Sequence, residues 1–385
     1  MKYDFDKNTD RFGTDCYKWD CDKRELPMWV ADMDFEVSKP IQDALAKRIS
    51  KPVFGYTKAP DRFFPSYVDF MKRYGLKSKA EEYVYSNGVI PTLSCSIRTF
   101  SNLGDEVVIL SPVYQVFSHI IVDNGRKVFE VELVRKNDGS YSIPFEALEK
   151  AFAHENAKLF ILCSPHNPVG RIWKKAELER IGDLAKEHGV LVLSDEVHGP
   201  LSLPGKTYLP FAAVNETCAN NSISTFAPTK SFNVAGVQTS VAYIPNPELR
   251  KQFAFAINRD EGAEGNVFSY IVSIAALDES LDWLDQVREY IAKNIVLVQE
   301  ALKESELRIA PIEATYLLWV EVSAYEKDDV AFCEGLRRET GLWITPGSTY
   351  GKGGEGFVRI NLATSSSRIN DGMGRLLSYC RSLKK

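Results

Sequence analysis

Four apolar runs in this chain stop abruptly in polar turns, and that repeated layout restricts the fold more than any other feature. They are Asp105-Glu-Val-Val-Ile-Leu-Ser-Pro-Val-Tyr114, Lys158-Leu-Phe-Ile-Leu-Cys-Ser-Pro-His-Asn-Pro-Val-Gly170, Val190-Leu-Val-Leu-Ser-Asp-Glu-Val-His-Gly199 and the segment from Asn221 through Ile223–Phe226 to Lys230 and Gly236. A further strand is expected near Lys127–Leu133 and a helix near Lys175–His188. Near-continuous apolar strands alternating with helices predict an α/β fold with a mostly parallel sheet covered on both faces. In such sheets ligands sit beyond the carboxyl ends of the strands. Tyr114, Asn167, Asp195, His198 and Lys230 all fall at those ends, so the topology lets them converge.

Lys230 is the only formally charged residue between Glu216 and Glu248. A buried lysine loses hydration unless its task needs a neutral amine, and a neutral ε-amine forms Schiff bases with carbonyls. Taken alone, the segment equally describes a lysine that lays its stem on apolar neighbours and reaches the surface. A second uncharged stretch, between Glu82 and Arg98, reads as a strand entering Ser86-Asn87-Gly88, then a helix with Pro91 in its first turn. The free amides of such a helix start can hold an anion without a basic side chain, although most helices so capped bind nothing. Near the C-terminal end, Phe357, Arg359 and Asn361 share one face of a strand. An arginine there pairs either with a structural carboxylate or with a ligand carboxylate. The preceding Gly351-Lys-Gly-Gly-Glu-Gly356 fits G-x-G-x-x-G by letter, but it runs into a strand rather than a helix and reads as a glycine loop.

The length of 385 residues suits about two domains. The texture changes near Leu281, where a charged helix (Asp282 to about Glu306) leads to a strand over Pro311–Val322 and a helix near Asp329–Thr340. A helix from Ser38, as N-cap, to about Ile49 precedes an aromatic turn, Val53-Phe-Gly-Tyr-Thr57. The segment Leu26-Pro-Met-Trp-Val-Ala-Asp-Met-Asp-Phe35 reads by itself as a tether of the N-terminus to the core. A net charge of -5 with no long basic run gives no footprint for nucleic acid. The N-terminal residues lack a signal-peptide core, and no apolar stretch is long enough for a membrane span. Seven scattered cysteines show no zinc spacing, so no metal is expected, and the chain reads as a reduced, soluble, cytoplasmic protein.

Together these parts meet one requirement. A neutral lysine, an aspartate for a pyridinium nitrogen, an asparagine for a phenolic oxygen, a stacking tyrosine, a phosphate-binding helix start and a carboxylate-binding arginine suit pyridoxal 5′-phosphate. The motifs S-P-H-N-P-V-G, S-D-E-V-H, A-P-T-K-S-F-N-V-A-G and V-R-I-N-L-A resemble, in that order, those of fold-type I pyridoxal-phosphate enzymes related to aspartate aminotransferase. More narrowly, L-P-M-W-V-A-D-M-D-F, the histidine of D-E-V-H and E-A-T-Y-L-L-W resemble the MalY/PatB branch, the C–S β-lyases.

That resemblance implies a large domain over residues 48–280 with a mostly parallel seven-stranded sheet, and a smaller α+β domain from residues 1–47 and 281–385. Lys230 would bond the cofactor and carry the Cα proton, Asp195 would pair with the pyridine nitrogen, and Asn167 with the ring hydroxyl oxygen. His198 would stand where many aminotransferases have a tyrosine, and Tyr114 would stack on the ring. Amides of Val89 and Ile90, the Thr229 hydroxyl and Tyr56 from the neighbouring subunit of a homodimer would hold the phosphate. Arg359 would hold the substrate carboxylate, with Val30 and Ala31 lining the substrate side. Ala227 stands where many relatives have a serine, so that phosphate contact is missing here. The implied reaction is β-elimination of amino acid thioethers, such as cystathionine to homocysteine, pyruvate and ammonia. An aminotransferase of the same fold is the alternative, because lysine and aspartate serve both reactions. The resemblance also allows a third reading, a pyridoxal-phosphate-bearing modulator whose main role is to bind a transcriptional regulator as partner.

Overall fold

Seven segments pair into the sheet that organises the protein: β1 (Tyr83–Ser86), β2 (Glu106–Ser111), β3 (Lys127–Glu132), β4 (Ala157–Cys163), β5 (Leu191–Asp195), β6 (Ser222–Phe226) and β7 (Ser240–Tyr243). A computed structural model describes residues 1–384. The strand order is β1-β7-β6-β5-β4-β2-β3, and only β7 runs antiparallel to its neighbours. Side chains alternate across the sheet because a strand repeats every two residues. Val107, Ile109, Leu159, Ile161, Leu191 and Leu193 pack into one core, and Val108, Leu110, Phe160, Leu162 and Val192 into another. Apolar burial on both faces is why these strands read as unbroken apolar runs.

Register sets the position of every strand end. Ser86 of β1 pairs with Ser240 of β7, whose next residue Val241 pairs with Phe226 of β6. Thr225 pairs with Asp195 of β5, and Asp195 with Cys163 of β4. The turns after β1, β6, β5 and β4 therefore leave the sheet side by side.

A second, antiparallel sheet contains β8 (Arg308–Ile309), β9 (Leu317–Glu321), β10 (Thr345–Pro346) and β11 (Phe357–Asn361), in the order β8-β9-β11-β10. Helices Leu281–Leu302, Asp329–Thr340 and Ser366–Ser382 accompany it. Gly341, at φ +74°, ends the second of these in the left-handed conformation that a glycine adopts without strain. Among the described residues no helix is long and apolar enough to cross a membrane.

The chain departs from expectation in two places. The strand expected over Pro311–Val322 begins only at Leu317. Before it, Glu313 and Ala314 donate backbone N–H groups to Gly170, and Thr315 turns at φ +74° and donates to Leu201. The long helix stops at Leu302 rather than near Glu306. Ser38 caps the Lys39–Ile49 helix through a long bond, 3.4 Å from the Ile41 amide.

The N-terminal segment is fastened by charge as well as by apolar packing. Met28, Met33 and Phe35 are buried in the core, as a tether requires. Beside them the Asp34 carboxylate accepts from Trp19 Nε1 at 2.8 Å, Arg11 at 2.9 Å and Lys18 Nζ at 3.1 Å. Burial pushes the Asp34 pKa upward, but Lys18, Trp19 and Arg11 outweigh it and hold the carboxyl below its ordinary range. Removing one partner of a buried pair strands the other charge. Asp34→Ala is expected to cost about 3–5 kcal/mol in urea unfolding at neutral pH, because the buried Lys18 keeps only the longer carboxylate contact to Asp32, at 3.6 Å. A carboxyl held low in the folded state stabilises the protein above its unfolded pKa and loses that contribution as pH falls through the folded value. The gap between wild type and Asp34→Ala should therefore narrow on acidification, and a gap that does not change with pH contradicts the assignment.

Candidate active site

Lys230 follows β6 and directs its amine at the backbone carbonyl of Ala31, 2.7 Å away. Loss of hydration lowers its pKa and the Arg359 charge acts in the same direction, while Asp32 and Asp195 oppose. The amine thus sits in a field that favours its neutral form more than water does.

Asp195, the last residue of β5, is buried, and one carboxylate oxygen accepts from the Val197 amide at 3.1 Å. Burial raises its pKa to about 6, against the pull of that amide and of Lys230. His198 follows on the same turn, also buried, with Nδ1 lacking a partner. Burial, then the charges of Lys230 and Arg359, depress its pKa to about 3, so the ring is neutral at physiological pH. Asn167, on the turn after β4, is buried and accepts from Arg359 at 3.3 Å. Arg359 comes from β11 and also donates to the Trp29 carbonyl at 2.8 Å, while its Nε has no partner. Among the described residues no carboxylate pairs with this guanidinium. Of the two readings of Arg359 left open by the sequence, the structural carboxylate is absent. Tyr114, half-buried beyond β2, is close enough to feel the charges of both Arg359 and Asp195.

The helix Val89–Phe100 starts immediately beyond β1, and Gly88 supplies no side-chain cap. Because β1 and β6 end together through β7, this helix start lies alongside the turn that carries Ala227, Thr229 and Lys230. Tyr56 does not join the site in its own chain: it is fully exposed, on an irregular segment with Val53 81% and Phe54 53% exposed.

Several residues at the site carried no local sequence signal. The segment Trp29–Met33 roofs the strand ends through its carbonyls. Asn361 Nδ2 donates to Val30 at 2.5 Å and to Asp32 at 2.6 Å, and Asn233 Nδ2 donates to Met33 at 3.0 Å. Tyr316, wholly buried, donates its hydroxyl to the same Ala31 carbonyl as Lys230, at 3.0 Å. Asp32 lies near enough to bias Lys230. The resemblance had implied that Val30 and Ala31 line the substrate side, and the strand face shared by Arg359 and Asn361 was the further hint, since both side chains donate to this segment. The site thus brings a buried lysine amine, a buried acid, a neutral imidazole and an unpaired guanidinium nitrogen near one another at the strand ends.

Residues 31–376 match the aminotransferase class I and II family. The chain is 38% identical to cystathionine beta-lyase PatB of Bacillus subtilis, over 97% of this chain and 98% of that protein. It is 32% identical to protein MalY of Escherichia coli, over 99% and 100% respectively. Among solved structures, cystalysin from Treponema denticola, which contains a pyridoxal 5′-phosphate cofactor, superposes with a TM-score of 0.96 at 32% identity, covering 100% of both chains. With its strand-end lysine, aspartate and asparagine on a mixed seven-stranded sheet, the chain belongs to the aminotransferase class I and II family, and within it groups with the PatB and MalY C–S lyases.

Proposed function

We propose that this protein is a pyridoxal 5′-phosphate-dependent carbon–sulfur lyase that cleaves cysteine S-conjugates, L-cystathionine among them, to a thiol, pyruvate and ammonia. The observation that carries the reading is the Arg359 guanidinium, buried beside Lys230 with one nitrogen unpaired and no carboxylate of its own. Such a group fits the α-carboxylate of an amino acid through its planar fork.

The residues present fit the cofactor. The unpartnered His198 Nδ1, the Asp195 carboxylate with one protein donor and the Lys230 amine leave buried polar capacity that a flat polar ring would satisfy. Lys230 would bond it covalently, Asp195 would face its ring nitrogen, and Asn167 its phenolic oxygen, with His198 and Tyr114 beside the ring. Amides of Val89 and Ile90 and the Thr229 hydroxyl would take the phosphate. Ala227 adds no hydroxyl there, so the helix start carries more of that load. Bound in this way, the cofactor supplies an electron sink for the bonds at the substrate Cα.

The chain's own residues do the rest. Arg359 fixes the substrate carboxylate, and Val30 and Ala31 bound the space beside it. Lys230, kept toward neutrality by burial, takes the Cα proton. The electron pair released from the Cα–H bond expels the thiolate from Cβ. The neutral His198 adds no competing positive charge. The fully exposed Tyr56 suits a homodimer in which the neighbouring subunit supplies this tyrosine to the phosphate. The names of the relatives favour elimination over amino transfer.

Purified, cofactor-loaded protein given L-cystathionine without a 2-oxo acid should release pyruvate and free thiol in equal amounts. Lys230→Ala should lose both activities and the visible absorption of the bound cofactor. Amino transfer on adding a 2-oxo acid, with no pyruvate before it, contradicts the lyase reading. Asp195 gives a second expectation. In the cofactor-free protein it becomes protonated as pH falls through about 6. The anion that would pair with the ring nitrogen is then lost, so cofactor affinity should weaken below that pH. Asp195→Asn should bind more weakly above that pH, lack this break and approach the wild type below it, as followed by equilibrium dialysis.

A further inference from the structure

The motif Glu313-Ala-Thr-Tyr-Leu-Leu-Trp319 has no task in the reaction described so far, yet its tyrosine enters the site. Tyr316 is wholly buried, and its hydroxyl donates to the Ala31 carbonyl at 3.0 Å. Lys230 Nζ donates to that same oxygen at 2.7 Å. We propose that Tyr316 is a positioning residue for Lys230, acting through the Ala31 backbone carbonyl that the two side chains share. The proposal rests on the reading of Lys230 as the proton carrier.

The geometry gives the sharing two effects. A carbonyl oxygen has two lone pairs, and two donors fill both. Tyr316 thereby fixes the direction in which the lysine amine finds its acceptor. It also competes with that amine: an ammonium gains more than a neutral amine from a good acceptor, so a carbonyl already engaged by a hydroxyl favours the ammonium less. Tyr316 is itself held firmly. Its backbone carbonyl accepts from Leu362, and Thr315 before it turns at φ +74° and donates to Leu201. Burial pushes the phenol well above its ordinary pKa, so it stays a donor. The other charged or titratable groups that face Lys230 are Asp32 on the N-terminal segment, Asp195 and His198 beyond β5, and Arg359 on β11. Of these the His198 ring packs edge-on against the Tyr316 ring, with centroids 6.3 Å apart, a contact that phenylalanine at 316 keeps.

Tyr316→Phe keeps the ring and removes only the hydroxyl. With cofactor bound and L-cystathionine as substrate, kcat should fall about threefold to tenfold, the range that one hydrogen bond spans. KM should change less than twofold, because Arg359 and its contacts are untouched. Without its competitor the Ala31 carbonyl favours the ammonium, so the acid limb of the kcat profile should move to higher pH. The same displacement should appear without turnover, in the pH dependence of the rate at which cofactor-free protein gains visible absorption on mixing with pyridoxal 5′-phosphate. Fluorotyrosine placed at position 316 is a stronger donor, and should move both profiles toward lower pH. It also tests the proposal if the phenylalanine variant folds poorly. Unchanged profiles in a folded variant, or a loss of thermal stability with kcat and both profiles unmoved, overturn the proposal. Failure of the Lys230 reading would show separately, as activity surviving in Lys230→Ala.

Discussion

The site depends on hydrogen bonds between the carbonyls of one N-terminal segment and side chains far along the chain. Trp29, Val30, Ala31 and Asp32 accept from Arg359, Asn361, Lys230 and Tyr316, partners 199 to 331 positions away. Without that roof, the ends of the parallel strands would open to water, and the lysine and aspartate would titrate nearer their ordinary values. The roof is in turn anchored by Asp34, whose carboxylate gathers Arg11, Lys18 and Trp19 directly behind it. Apolar burial of Met28, Met33 and Phe35 holds the segment down, and the buried carboxylate sets its register.

Electrostatics at the strand ends follow from placing few charges in much protein. Lys230 is pulled toward neutrality and Asp195 toward protonation, both by burial. Each partly corrects the other, and Arg359 and Asp32 set the remaining balance. Burial first, and then the charges of Lys230 and Arg359, keep the His198 ring neutral. On the proposed reading, a flat cofactor with a ring nitrogen, a phenolic oxygen and a phosphate would meet a group of suitable sign at each polar position.

Much of this was legible from residue order. Strands buried on both faces have no charged side to interrupt them, so β2, β4 and β5 appear as apolar runs and β6 as an uncharged one, and their polar successors as site residues. The strand before Leu317 was misjudged because this stretch bonds outside the sheet: the amides of Glu313 and Ala314 go to Gly170, and that of Thr315 to Leu201. The segment Leu26–Phe35 read as a tether, and its apolar side chains do serve as one. Its second role lies in backbone carbonyls, which every sequence has and which no residue type announces. Tyr316 was invisible as a site residue for the same reason, because its partner is a carbonyl 285 positions away. Only the shared face of Arg359 and Asn361 carried a readable trace of the contact.

The central claim is that Lys230, among all the lysines of the chain, is the one placed to bond the cofactor. Borohydride reduction of cofactor-loaded protein, followed by digestion and mass spectrometry, reads that placement directly. The account predicts one pyridoxyl adduct per chain, on the peptide containing Lys230. An adduct on another lysine, such as the buried Lys18, or a loaded protein whose Lys230 peptide remains unmodified, would contradict it.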